Sequence, residues 1–165
     1  MRKLTCAILP LLAGIMLCSC GSSEKTAKPV KLDENFKAQA TMTVDGTEYT
    51  ANLTRNGADI WECEFTAPET IEGMVMTCSG DSAELEFMGL KYKTDRANIP
   101  ESSAVTLTSS VIEKIISQKD VDYMQNDKGT ITVSGDVKGQ DFTAKMKKGK
   151  LCSLSVSSEL EVKFS

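Results

Sequence analysis

FKAQATMTVDGTEYTANLTRNGADIWECEFT, residues 36–66, decides the fold. Phe36, Ala38, Ala40, Met42 and Val44 alternate with Lys37, Gln39, Thr41 and Thr43, and Asp45-Gly46 then supplies a hairpin turn. Tyr49, Ala51 and Leu53 alternate with Thr50, Asn52 and Thr54 up to a second turn at Asn56-Gly57. Trp61, Cys63 and Phe65 alternate with Glu62, Glu64 and Thr66, and Pro68 ends the run. Three consecutive period-two segments joined by short turns predict an antiparallel meander with one apolar and one wet face.

The pattern continues downstream. Gly73 to Gly80 reads as a strand, and Ala83, Leu85 and Phe87 as another with Glu84 and Glu86 outward. At Met88-Gly89-Leu90 the phase shifts, so a tight turn or bulge at Gly89 is expected to return Leu90 and Tyr92 to one continuous apolar face. That makes about six strands before residue 95. Between Ile99 and Asp120 the period becomes helical, with Leu107, Val111, Ile112, Ile115 and Ile116 at three- and four-residue spacings. A helix is predicted over about 103–118, starting at Pro100 to Ser103, or later if Ser110 and Glu113 form a capping box. Four more strands follow from Gly129, on Ile131 and Val133, Phe142 to Met146, Cys152 to Val156, and Leu160 to Phe164.

A mainly β protein results: about ten antiparallel strands curled over their apolar face into a half-barrel, with a helical lid inserted mid-chain. A two-sheet β-sandwich is the alternative.

The N-terminus predicts location. Arg2 and Lys3 precede an uncharged apolar stretch, Leu4 to Leu17, and the run ends in Leu17-Cys18-Ser19-Cys20-Gly21. This arrangement resembles a bacterial lipoprotein signal, with cleavage before a diacylglyceryl-modified Cys20. The apolar run is shorter than the roughly 20 residues a membrane span needs, and Pro10 interrupts it. The expected organisation is a signal peptide over 1–19, a lipidated tether over 20–33 and one β-rich domain over 34–165, on the extracytoplasmic face of the cell membrane. The whole chain of 165 residues carries −4; without Arg2 and Lys3, 17 Lys and Arg face 23 Asp and Glu, or −6. An acidic body of this kind argues against nucleic acid and against docking on anionic lipid, leaving the covalent lipid as the membrane contact.

The chain has no histidine, which removes the usual general base of Ser and Cys hydrolases and the imidazole ligand of most catalytic metal sites. Glu62, Glu64, Glu84 and Glu86 alternate outward, where a carboxylate is solvated and no pair is favoured for acid–base work. Beyond the signal and Cys20, only Cys63, Cys78 and Cys152 remain, allowing at most one bridge in a monomer and showing no C-x-x-C spacing. No catalytic residue, metal or cofactor is expected, and the protein is read as a non-enzyme.

Phe36-x-Ala38, Tyr49-x-Ala51-x-Leu53-x-Arg55, Trp61 to Phe65, Ala67-Pro68, Ile71-x-Gly73, Leu85-x-Phe87-x-Gly89-Leu90 and Ile99-Pro100 together resemble small clostridial-type lipoproteins. Those are similar in outline to the LolA/LolB lipoprotein-carrier superfamily, which includes mycobacterial lipoglycan-binding lipoproteins. The resemblance implies a strongly curved half-barrel whose concave face, covered by helices, holds acyl chains. Such carriers place a long helix before the first strand, where this chain has a tether.

Two functions follow as expectations. In the first, a hydrophobic ligand or acyl chain sits between sheet and helix, lined by Tyr49, Trp61, Phe65, Phe87, Leu107, Val111 and Ile115. The same side chains serve equally as a closed core, since a sheet with one wet face must bury the other. In the second, the protein is a structural or interaction lipoprotein of the envelope, working through strand edges or loops. Its basic cluster, Lys145, Lys147, Lys148 and Lys150, would then meet an acidic wall polymer or simply stay solvated.

Overall fold

The computed structural model describes residues 25–165. Its strands are β1 (Lys25–Thr26), β2 (Lys37–Val44), β3 (Thr47–Arg55), β4 (Ile60–Ala67), β5 (Val75–Ser79), β6 (Ser82–Phe87) and β7 (Leu90–Asp95). After helix α1 (Ala104–Ser117) come β8 (Val121–Gln125), β9 (Thr130–Val137), β10 (Gln140–Lys147), β11 (Lys150–Val156) and β12 (Leu160–Phe164). All twelve strands belong to one antiparallel sheet in the order β1-β8-β9-β10-β11-β12-β2-β3-β4-β5-β6-β7. The sheet does not close on itself, so the architecture is the open half-barrel and not the sandwich.

Chain order explains this layout. Two-residue turns with both central residues at positive φ, such as Asp45-Gly46 (48° and 78°) and Met88-Gly89 (51° and 79°), match the right-handed twist of the flanking strands. They produce two local meanders, β2 to β7 and β8 to β12, which join where β12 pairs with β2. Because β7 lies at one edge and β8 near the other, the connection between them must cross the sheet, and α1 makes that crossing.

The helix starts where its cap does. The Ser103 hydroxyl accepts from the Thr106 N–H, and Gln118 ends the helix in the left-handed region, so Ser110 and Glu113 form no capping box. Val105, Leu107, Val111, Ile112 and Ile115 are buried, giving a β-branched segment the tertiary packing it needs to stay helical. Beyond the helix, a methyl on Gly135 of β9 would come within 2.8 Å of the Asp120 carbonyl oxygen, so glycine is what lets the chain re-enter the sheet so closely.

Three sequence expectations need correction. Val121–Gln125 is a strand, because β8 has β9 on one side and β1 on the other. Residues 25–33 are not free tether: Lys25 and Thr26 pair with β8, and Leu32 is buried in the core. Leu90 and Tyr92 do not return to a covered face; they are exposed. Gly89 makes the expected tight turn, yet the helix does not reach over the strand that follows.

Candidate functional site

The interface of helix and sheet was the expected ligand site. Trp61, Phe65, Leu107, Val111 and Ile115 meet there in one buried core, with Tyr49 half-buried against it. Phe87 is half-buried and lies outside this cluster, near the β6–β7 turn. The described depressions lie elsewhere. The largest, about 620 Å³, is a notch between β2 and β11 with Leu32, Phe36, Leu151 and Phe164 among its walls. Others of about 580 and 480 Å³ lie against Lys31–Asn35 and beside Asp59, Arg96 and Lys138. None of the seven candidate ligand residues lines these depressions or the two smaller ones described.

A polar latch fixes the helix over this core. Arg55, at the end of β3 and only 7% exposed, grips Glu113 through two bonds, Nε to Oε1 at 2.7 Å and a second nitrogen to Oε2 at 3.0 Å. The Trp61 indole N–H donates to the same Oε1 at 2.9 Å, and Arg55 also donates to the Glu34 carbonyl at 2.6 Å. Burial by itself would raise the Glu113 pKa. The bonds from Arg55 and Trp61, the Arg55 charge and the Asp59 backbone outweigh it and hold the carboxyl below the usual glutamate range. The hydrogen bond to Glu113 raises Arg55 in turn. Sequence reasoning overlooked this pair although a signal existed: Arg55 has the inward parity of Ala51 and Leu53, and an arginine aimed into an apolar face needs an acid opposite.

The described cysteines are unpaired thiols. Burial, and then the neighbouring Cys78, pushes the Cys63 pKa up to about 12, and burial also raises Cys78. Both are therefore protonated at neutral pH, the state least suited to nucleophilic attack or metal binding. Cys152 is exposed. Among the described residues no group of three His, Cys, Asp or Glu is placed to hold a metal, and no helix is long and apolar enough to cross a membrane. Cys20 lies outside the described residues.

The surface feature with most chemical content is the free edge at β7. Leu90 is 78% exposed, Tyr92 64% and the adjoining Met88 84%, all larger apolar exposures than Ile60 shows. On the opposite face Lys91 bridges Glu84 and Glu86, and Lys93 bridges Glu84. A two-residue turn closes on the hydrogen-bonded pair Phe87 and Leu90, and bonding alternates from there, so the backbone groups of Lys91 and Lys93 point to the open side. Among the described residues, one strand thus presents unpaired backbone, two apolar side chains on one face and two lysines on the other. Comparison with protein-family models and with curated proteins finds no match to this chain.

Proposed function

We propose that the chain is an extracytoplasmic lipoprotein, anchored through Cys20, that works as a protein-interaction module with a closed core. The observation carrying this reading is the exposed β7 edge, set against the burial of Trp61, Phe65, Leu107, Val111 and Ile115. Edge strands with exposed apolar side chains are sites of strand addition, and folds normally blunt them. The partner is an extended segment that adds antiparallel to β7, with apolar side chains beside Leu90 and Tyr92 and acidic ones beside Lys91 and Lys93. Opposite charges across a ladder favour that choice over a second copy, since pairing Tyr92 with itself would set Lys91 against Lys93. In this reading the chain shares the outline of the LolA/LolB-like carriers but carries no acyl cargo under its helix.

Two measurements test it. A photo-crosslinking residue at Tyr92 in the native host is expected to give one discrete adduct, lost in Lys93→Pro, which removes an outward N–H and no ladder bond. Titration of a fluorescent fatty acid is expected to show no saturable binding. Saturable binding that disappears in Val111→Trp, with the fold retained and no adduct at Tyr92, would restore the acyl-chain reading. Cys20→Ala is expected to release the protein from the membrane fraction; unchanged partitioning and precursor processing would remove the anchor.

A further inference from the structure

The route by which the chain enters its body constrains how that body sits. Lys25 pairs with Gln125, so the chain arrives beside the β8–β9 turn. Lys147 pairs with Thr130, which sets the β10–β11 turn at Lys148-Gly149 next to the same place. Entry point and both hairpin tips therefore share one end of the sheet. Only Gly21 to Glu24 separate Cys20 from Lys25, a span of at most about 18 Å when fully extended.

Charge is sorted along the same axis. The β8–β11 part of this end exposes Lys25, Lys128, Lys147, Lys148 and Lys150 against Asp127, and beside Gly149 lie Lys31, Asp33 and Glu34, with Glu34 paired to Lys31. The far ends of the same strands expose Asp120, Asp122, Asp136, Asp141 and Glu159, with Lys119 and Lys138 among them. The overall acidity thus hides a polarity. Lys147 and Lys150 stand directly opposite each other across the ladder, an arrangement that repels. Among the described residues, Lys145, Lys147, Lys148 and Lys150 form no ion pair. Their charge is therefore open to a partner outside the fold.

We infer that this lysine-bearing end is a contact face for the phosphate headgroups of an anionic bilayer. The inference rests on the proposed anchoring at Cys20, which would hold this end, and not the acidic end or the β6–β7 turn, at the membrane. Headgroups are favoured over an acidic wall polymer because the short entry segment brings the tips to the lipid surface whatever else is present. The body then stands upright on the membrane.

The test uses the lipidated protein in vesicles, carrying a dye at Lys128→Cys or at Glu159→Cys in a Cys152→Ser background, with quencher in the lipid headgroups. Quenching at 128 and not at 159 is expected in vesicles containing phosphatidylglycerol, falling in high salt and in pure phosphatidylcholine. Each lysine near such a surface is worth about five-fold in the docking equilibrium, so Lys147→Gln, Lys148→Gln and Lys150→Gln together should lower it on the order of 100-fold. Equal quenching at both positions, or quenching indifferent to salt and lipid charge, would overturn the inference. Binding of soluble polyglycerol phosphate without response to vesicle charge would overturn it in favour of the polymer. Failure of the protein to float with vesicles of either kind would refute the anchoring itself, and the orientation with it.

Discussion

Replacing Glu113 with Gln would leave Arg55 buried with its charge unmatched, and the size of the loss follows from the burial of the two partners. Breaking a fully buried pair by removing one partner costs about 3–5 kcal/mol. Arg55 meets that condition at 7% exposure, but Glu113 is 26% exposed and water would replace part of the lost contact, so about 2–3 kcal/mol is expected. For a body of this size that corresponds to a fall in Tm of roughly 6–10 °C. The pH dependence has a fixed sign. The folded carboxyl titrates below its unfolded value, so its contribution is complete above the unfolded pKa and disappears as pH falls through the folded one. Thermal melts followed by circular dichroism at neutral pH and in steps into acid below the usual glutamate range should therefore show the two proteins far apart and then converging. The double variant Arg55→Met, Glu113→Leu should recover most of the loss, because apolar residues of similar volume can replace a buried pair. A neutral-pH difference under about 1 kcal/mol, typical of an exposed bridge, or one that stays constant into acid, would refute the latch.

Thr108 Oγ1 is buried on α1 with no hydrogen-bond partner among the described residues, so Thr108→Val should raise stability by about 1 kcal/mol in urea unfolding; a loss would show that the hydroxyl is satisfied. A maleimide should label Cys152 in the folded protein within minutes, while Cys63, buried and with its pKa pushed up to about 12, should react only in denaturant. Equal labelling rates would show that β4 opens easily.

Alternation made the sheet legible because its faces differ: at Ala51, Leu53, Trp61, Cys63 and Phe65 parity predicts burial and the side chains are buried. The helix was legible for the same reason. Parity fails at Leu90 and Tyr92 because it assigns a face and not what covers that face; α1 crosses elsewhere. Val121 to Gln125 escaped notice because Asp122 and Gln125 blur a five-residue pattern, and β1 because two residues carry no period at all. Their order is tertiary, supplied by β9 through β8. At the site, Trp61, Phe65, Leu107, Val111 and Ile115 are buried where period and parity place them, while Phe87 lies outside the cluster, and no pattern in a sequence separates a filled interior from a cavity. The latch lay hidden because 58 positions separate Arg55 from Glu113.

The seam between β12 and β2 has a consequence for how the chain finds this shape. Every other neighbouring pair of strands, apart from the two-residue β1, is close in sequence, whereas Leu160 and Val44 meet across more than a hundred residues. Each meander can assemble alone at small entropic cost, but the seam must close the largest loop in the molecule. Folding should therefore proceed through two preformed half-sheets whose docking, registered by α1, is the slow step. A chain nicked between Gln118 and Val121 would break no strand, and its two pieces would retain what they need to find each other.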